Sequence, residues 1–270
     1  MKKLFNILIF VTFLTGCISN PLTGKRTMAF VDNSELFPMA FAQYEEFLSE
    51  NTIVTNTKEA AMVKRVGENL AAAAQKWFAS EGYAHYLKDY RWEYNLILDD
   101  AINAWAMPGG KIVFYTGILP ITQTEAGIAV VMGHEIAHTI LNHGQQRMSG
   151  NVLQQLGGMG VQMALDVAGA SENTQNIAML GYSLGTTLGV TLPYSRQHEH
   201  EADHYGLILM AIAGYNPDEA APFWERMSSL GSAKVPEFLS THPSDTSRIK
   251  NLRGLSMEAK QKAASFGVTF

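Results

Sequence analysis

The sequence predicts a mostly helical α+β domain with a small antiparallel sheet. Three observations carry this: apolar residues recur at helical spacing over most of the chain, two short segments near residues 91–115 alternate aromatic and aliphatic side chains, and a His-Glu-x-x-His pattern at 134–138 lies inside an apolar helical run. With 270 residues, 47% hydrophobic and 17% charged, the chain can bury a sizeable core in one compact domain. Its formal charge of -5 argues against a nucleic-acid partner, which would want a basic surface.

The first element is a leader. Lys2 and Lys3 precede an apolar stretch from Leu4 to Leu14, too short to span a bilayer, and Leu14-Thr15-Gly16-Cys17 follows. That tetrad resembles the bacterial lipobox, which implies removal of a signal peptide 1–16 and acylation of Cys17, with palmitate among the chains added. Cys17 is the single cysteine, so no internal disulfide is available. Ile18 stands where aspartate would resemble an inner-membrane retention signal, and the implied location is the outer membrane, facing the periplasm. Residues 17–31, with Asn20-Pro21 and Thr23-Gly24, read as a lipid-anchored tether, and the domain runs over 32–270.

Asp32–Ser49 and Lys58–Ser80 then read as helices, the second with Val63, Val66, Leu70 and Ala74 on one face. Arg91–Leu98 and Lys111–Tyr115 read as strands, the latter after a Pro108-Gly109-Gly110 break. Thr122 and Glu125 form a capping box opening a helix that should reach about Gln146. Residues 148–192 read as a glycine-rich helical hairpin inserted in the domain, with Gly181, Gly185 and Gly189 at four-residue spacing. Asn216-Pro217 opens a later helix, and Ser244 or Asp245 the last.

The chemistry centres on His134, Glu135 and His138. Four residues make slightly more than one helical turn, so both imidazoles leave one face and can share one tetrahedral zinc, while Glu135 sits beside the metal to take a proton from water. His200-Glu201-Ala202-Asp203-His204 also fits the five-residue pattern, but its polar setting assigns it a supporting role. A carboxylate from this second helix would complete a His-His-Glu set, and Glu199 is the expected third ligand. Asp203, one turn later, is placed to accept a hydrogen bond from the far nitrogen of a ligand histidine. His143 reads as a solvated or capping residue, His198, His200 and His204 as polar-face residues, and His85 has no partner in sequence.

Ser195-Arg196-x-x-Glu199-x-Glu201-Ala202-Asp203-x-x-Gly206 resembles the second signature of the M48 family of peptidases, and Thr241-His242-Pro243 with Arg248 resembles a later one. The resemblance, spanning about residues 30 to 255, implies a zincin-like metallopeptidase domain, with Glu199 as third ligand of one Zn2+ per chain. It implies that His242 and Arg248 sit near the metal, where they stabilise the oxyanion or gate the site. Gly109–Tyr115 resembles the family's edge strand, so Lys111, Ile112, Val113 and Phe114 would bind an extended substrate by β-augmentation.

With the lipobox, the resemblance points to the bacterial outer-membrane lipoprotein branch. The implied function is a metalloendopeptidase in quality control of periplasmic or outer-membrane proteins. Its partners would be unfolded or misassembled envelope proteins, the membrane through the lipid anchor, and the outer-membrane assembly machinery, without nucleic acid. Two alternatives stand beside it: a chaperone-like assembly factor with a latent or regulatory zinc, and an intramembrane peptidase, which needs the hairpin to cross the bilayer.

Overall fold

In the computed structural model, residues 17–230, 236–242 and 246–270 are described. The leader 1–16, Pro243, and the helix start expected at Ser244 or Asp245 lie outside them.

The described residues begin with an antiparallel ribbon, β1 (Cys17–Ser19) and β2 (Arg26–Met28). Order therefore starts before Asp32: the segment expected as a tether is docked, because the buried Asn20 side chain donates to the Ile140 carbonyl at 2.8 Å while its Oδ1 accepts from Leu22 N. Two helices follow, α1 (Asn33–Glu50), whose Asp32 cap accepts from Ser34 N, and α2 (Lys58–Ser80), whose Thr57 cap accepts from Ala60 N. Pro38 lies within α1. The short β3 (Ile53–Val54) sits between the two helices.

The main sheet holds β3, β4 (Glu93–Ile97), β6 (Lys111–Tyr115) and β5 (Ala104–Met107), in that spatial order. It is mixed rather than antiparallel throughout, since β4 runs parallel to β6 with Glu93 opposite Lys111 and Ile97 opposite Tyr115. The reason is the return strand β5, which sequence periodicity did not resolve: the chain reverses once into β5 and once out of it, so β4 and β6 run the same way. The β5–β6 turn needs Gly109 and Gly110, whose φ angles are +82° and +91° and whose missing Cβ atoms leave room for Phe41 and Trp92.

A short α3 (Leu119–Thr122) precedes α4 (Glu125–Ile140). Its cap is Thr124, which accepts from Gly127 N; Thr122 instead donates to Leu119 O, so the expected capping box is displaced by two residues. Every residue of α4 from Gly127 to Ile140 is buried, as expected of a helix at the centre of a core. The helix stops well short of Gln146: Asn142 adopts a left-handed conformation, φ 58° and ψ 32°, and α5 (His143–Val167) starts in a new direction. After it come α6 (Glu172–Thr186), a π-helical turn at Thr187–Thr191, α7 (Leu192–Ile212), α8 (Ala220–Ser229), α9 (Glu237–Thr241) and α10 (Thr246–Ala264).

The core packs α4 against α2, α7 and the sheet, with Val66, Leu70, Ile112, Phe114, Ile128, Met132, Leu209, Phe223 and Trp224 fully or almost fully buried. Helices α4 and α7 touch backbone to backbone: a Cβ on Gly206 would meet Gly133 C and His134 N at 2.8 Å. This contact sets the spacing of the two helices that carry the site.

Candidate metal centre

α4 and α7 bring together the residues singled out in sequence. Donor atoms of His134, His138, Glu199 and His242 all lie within 4.8 Å of one another, and all four residues are buried. His134 Nε2 is 3.1 Å from His138 Nε2, and the Glu199 carboxylate is 3.2 and 3.3 Å from those nitrogens. Imidazole lone pairs and a carboxylate crowded this closely fit a divalent cation: two imidazoles with one carboxylate make a zinc donor set, and apposed nitrogens have little other reason to converge in a buried site. His242 completes the group, with Nδ1 3.0 Å from Glu199 and 3.1 Å from His134. The resemblance placed this residue near the metal; the structure sets its imidazole among the donors.

Glu135 projects from the same turn, fully inside the protein. Burial pushes its carboxyl up, against the pull of His242 and His134, and its Oε1 accepts no hydrogen bond. His242 Nε2 lies 3.3 Å from that oxygen.

Asp203, one turn after Glu199 on α7, accepts from His134 Nδ1 at 3.0 Å. Arg248 of α10 grips Asp203 through Nε and Nη2, both at 2.7 Å, and its guanidinium lies 3.7 Å over the Trp224 ring. Arg248 lies near the donor group as the resemblance implied: Nη1 donates to the His242 carbonyl at 3.3 Å and Nη2 is 3.5 Å from Glu199, which places the guanidinium behind the ligand histidine. Burial disfavours a charged His134, yet Asp203 and Glu199 overcome it and raise that imidazole to about 9. Glu199 is held far below the usual carboxylate range by the histidines around it, despite burial. Burial drives His138 the other way, well below its ordinary value.

One participant was missed. His143, expected to be solvated or capping, is completely buried, with Nδ1 2.8 Å from His138 Nδ1 and Nε2 3.2 Å from Glu201. In an unbroken helix it would point roughly 140° away from His138, given about 100° per residue; the left-handed Asn142 turns it back. His198 stacks on His143 with ring centroids 4.1 Å apart, so it too is an interior residue rather than a polar-face one. The detectable signal was Asn142 itself, a residue that tolerates the left-handed conformation at a helix end. His204, by contrast, is a surface residue paired with Glu258.

The substrate strand is also corrected. β6, carrying Lys111, Ile112, Val113 and Phe114, is an interior strand paired on both sides and buried, so neither of its edges can accept a peptide. Among the described residues the edge strands are β3 and β5, and Ala106 of β5 lines, together with His138 and Thr139, a small cavity of about 30 Å³ beside the site.

Comparison with known proteins agrees with this geometry. Residues 57–256 match the family described as Peptidase family M48. The chain is 35% identical over 178 residues to the mitochondrial metalloendopeptidase OMA1 of Schizosaccharomyces pombe, covering 65% of this chain and 50% of that protein. It is 29% identical over 266 residues to the mitochondrial metalloendopeptidase OMA1 of Bos taurus, covering 94% and 49%. With the Beta-barrel assembly-enhancing protease of Escherichia coli it shares 32% identity over 166 residues, 58% of this chain and 33% of that one. The chain thus spans a third to a half of the length of these curated relatives. With candidate metal donors on α4 and α7 and the family match running from α2 into α10, the chain belongs to peptidase family M48, whose members are zinc-dependent metallopeptidases.

Proposed function

We propose that this chain is a zinc metalloendopeptidase of the bacterial lipoprotein branch, tethered through acylated Cys17 to the periplasmic face of the outer membrane, cleaving unfolded or misassembled envelope proteins. The observation that carries it is the convergence of His134, His138 and Glu199 with Glu135 buried beside them. The lipobox supports the location, and one relative's name, a protease that enhances β-barrel assembly, supports outer-membrane proteins as the substrate class.

His134, His138 and Glu199 would hold the zinc, which would supply Lewis acidity toward a carbonyl and lower the pKa of water. The chain supplies the rest. The β5 edge pairs with an extended peptide backbone next to His138, with Ala104 and Ala106 offering small side chains. Glu135, kept basic enough by burial, accepts the proton of the attacking water and delivers it to the leaving amine. Asp203 and Arg248 fix the His134 ring throughout. Turnover requires His242 to yield its place in the donor group so that water and substrate can enter. That same position favours the second reading, a resting chain that binds envelope proteins while its zinc is latent.

The test is bound zinc and casein cleavage by the Cys17→Ser chain and by its Glu135→Gln counterpart. One zinc in each with cleavage only by Cys17→Ser supports the peptidase; zinc without cleavage in either supports the latent reading, and folded protein without zinc sinks the site.

A further inference from the structure

The hairpin of α5 and α6 is built the wrong way round for water. Across its inner contact the polar groups meet each other: Gln154 Nε2 donates to Thr186 Oγ1 at 2.8 Å, Gln162 Nε2 to Gln175 Oε1 at 2.8 Å, and Tyr182 OH to the Gln154 carbonyl. Gly157 and Gly158 admit the Tyr182 ring there. The apolar side chains point outward. On α5, Met148, Val152, Leu156, Met159, Met163 and Val167 are all exposed and fall within roughly 100° of arc at about 100° per residue. On α6 and the turn after it, Ile177, Leu180, Leu184 and Leu188 form a second exposed row, and no residue of α6 is buried. Both rows lie opposite their helix's contact with its neighbour. No Lys, Arg, Asp or Glu occurs over 148–165 or 173–195; Asp166 and Glu172 lie at the tip.

A single protein partner would cover one flank, whereas apolar rows on two opposite flanks call for an apolar medium around the hairpin. A second feature points to lipid. At the hairpin's root lies a largely apolar cavity of about 380 Å³ whose lining includes Met28, Leu153, Tyr182, Val190 and Tyr194. Met28 is the register partner of Cys17, the residue expected to carry acyl chains. Among the described residues no helix is long and apolar enough to cross a membrane, so the hairpin's place is the outer part of one leaflet.

We propose that the α5–α6 hairpin is a membrane-embedding element that seats the enzyme in the acyl layer of a phospholipid bilayer, in addition to any chain on Cys17. It rests on the hairpin's surface; acylation of Cys17, part of the reading above, is an added support.

Because Cys17 is the only cysteine, a Cys17→Ser background permits single labels. A polarity-sensitive dye is attached at Met163→Cys, Leu184→Cys or, as an aqueous control, Lys76→Cys. Each protein is mixed with vesicles of palmitoyl-oleoyl phosphatidylethanolamine and phosphatidylglycerol, with or without nitroxide-labelled acyl chains. The expected result is a blue shift and nitroxide quenching at 163 and 184 and neither at 76, with zinc content unchanged. A Met163→Glu, Leu184→Glu pair at these exposed positions should lower vesicle partitioning by about tenfold or more. Quenching at neither row, quenching at one row only, or blue-shifted labels in dimers without vesicles would each overturn the proposal. None of these readouts depends on cleavage, so the peptidase reading can fail while this one stands.

Discussion

Asp203 joins His134 to Arg248: one carboxylate accepts from the His134 Nδ1 at 3.0 Å and from the guanidinium at 2.7 Å. Through it the last long helix, α10, reaches a candidate metal donor on α4. Replacing Asp203 with Asn removes the nearer of the two carboxylates around Arg248, leaving Glu199 at 3.5 Å, and weakens the lock on the His134 tautomer. Zinc affinity should fall about 10- to 100-fold, measured by competition with a chromophoric chelator. An unchanged affinity would mean that the ring is fixed by packing alone.

His143 should behave as a second such support. In His143→Ala, His138 loses the partner of its Nδ1, and zinc affinity is expected to drop by about tenfold or more. His143→Gln, which can still offer a side-chain hydrogen bond, should recover part of the loss, a recovery that mere cavity filling by Leu would not give.

Removing His242 tests its standing among the donors. If it occupies the place of the entering water, His242→Ala should keep stoichiometric zinc and raise kcat on casein several-fold. A fall of about a hundredfold in kcat would instead restore the oxyanion role that the family resemblance implied.

Zinc uptake should expel a proton. Without metal, His134 is held protonated up to about 9 by Asp203 and Glu199, above its ordinary value, so near pH 7.5 the metal must displace that proton. Affinity should therefore rise with pH, by up to about tenfold per unit from this group, and level off above 9. In the apo chain the sign runs the other way: the charged pair's contribution to stability is complete below the ordinary histidine pKa and vanishes as pH climbs through about 9. Calorimetric titrations in buffers of different ionisation enthalpy would report the released proton directly, and a zero slope would contradict it.

The backbone contact between α4 and α7 predicts that Gly206→Ala forces the helices apart. A loss of about 1–3 kcal/mol in unfolding free energy is expected, with weaker zinc binding because Glu199 recedes from His134. Gly160→Ala, whose Cβ would meet open space, is the control and should be neutral or mildly stabilising.

The parts of the site that were legible in sequence are those written in local helical spacing. His134, Glu135 and His138 share one turn of α4, and Glu199 and Asp203 one face of α7, so a period near four residues suffices to group them. What escaped depends on breaks and crossings. His143 enters only because Asn142 turns left-handed, and Arg248 meets Asp203 from 45 positions further along the chain. β5 reads Ala-Trp-Ala-Met, too short and too poor in β-branched residues to announce a strand, so nothing in the periodicity countered the edge-strand reading that the family resemblance gave to β6. The helices Asn33–Glu50 and Lys58–Ser80, by contrast, matched their periodicity to within a residue.

The ribbon of β1 and β2 bears on how this chain can be handled. Asn20 satisfies the carbonyl of Ile140, the last residue of α4, while Lys25 pairs with Glu201, the carboxylate that faces His143. A soluble fragment cut back to Asp32, where a reader of the sequence alone would trim, would free both ties at once and slacken the scaffold behind the zinc ligands. The ribbon is in this sense a structural strap: residues 17–28 brace the donor group from outside the helices that carry it.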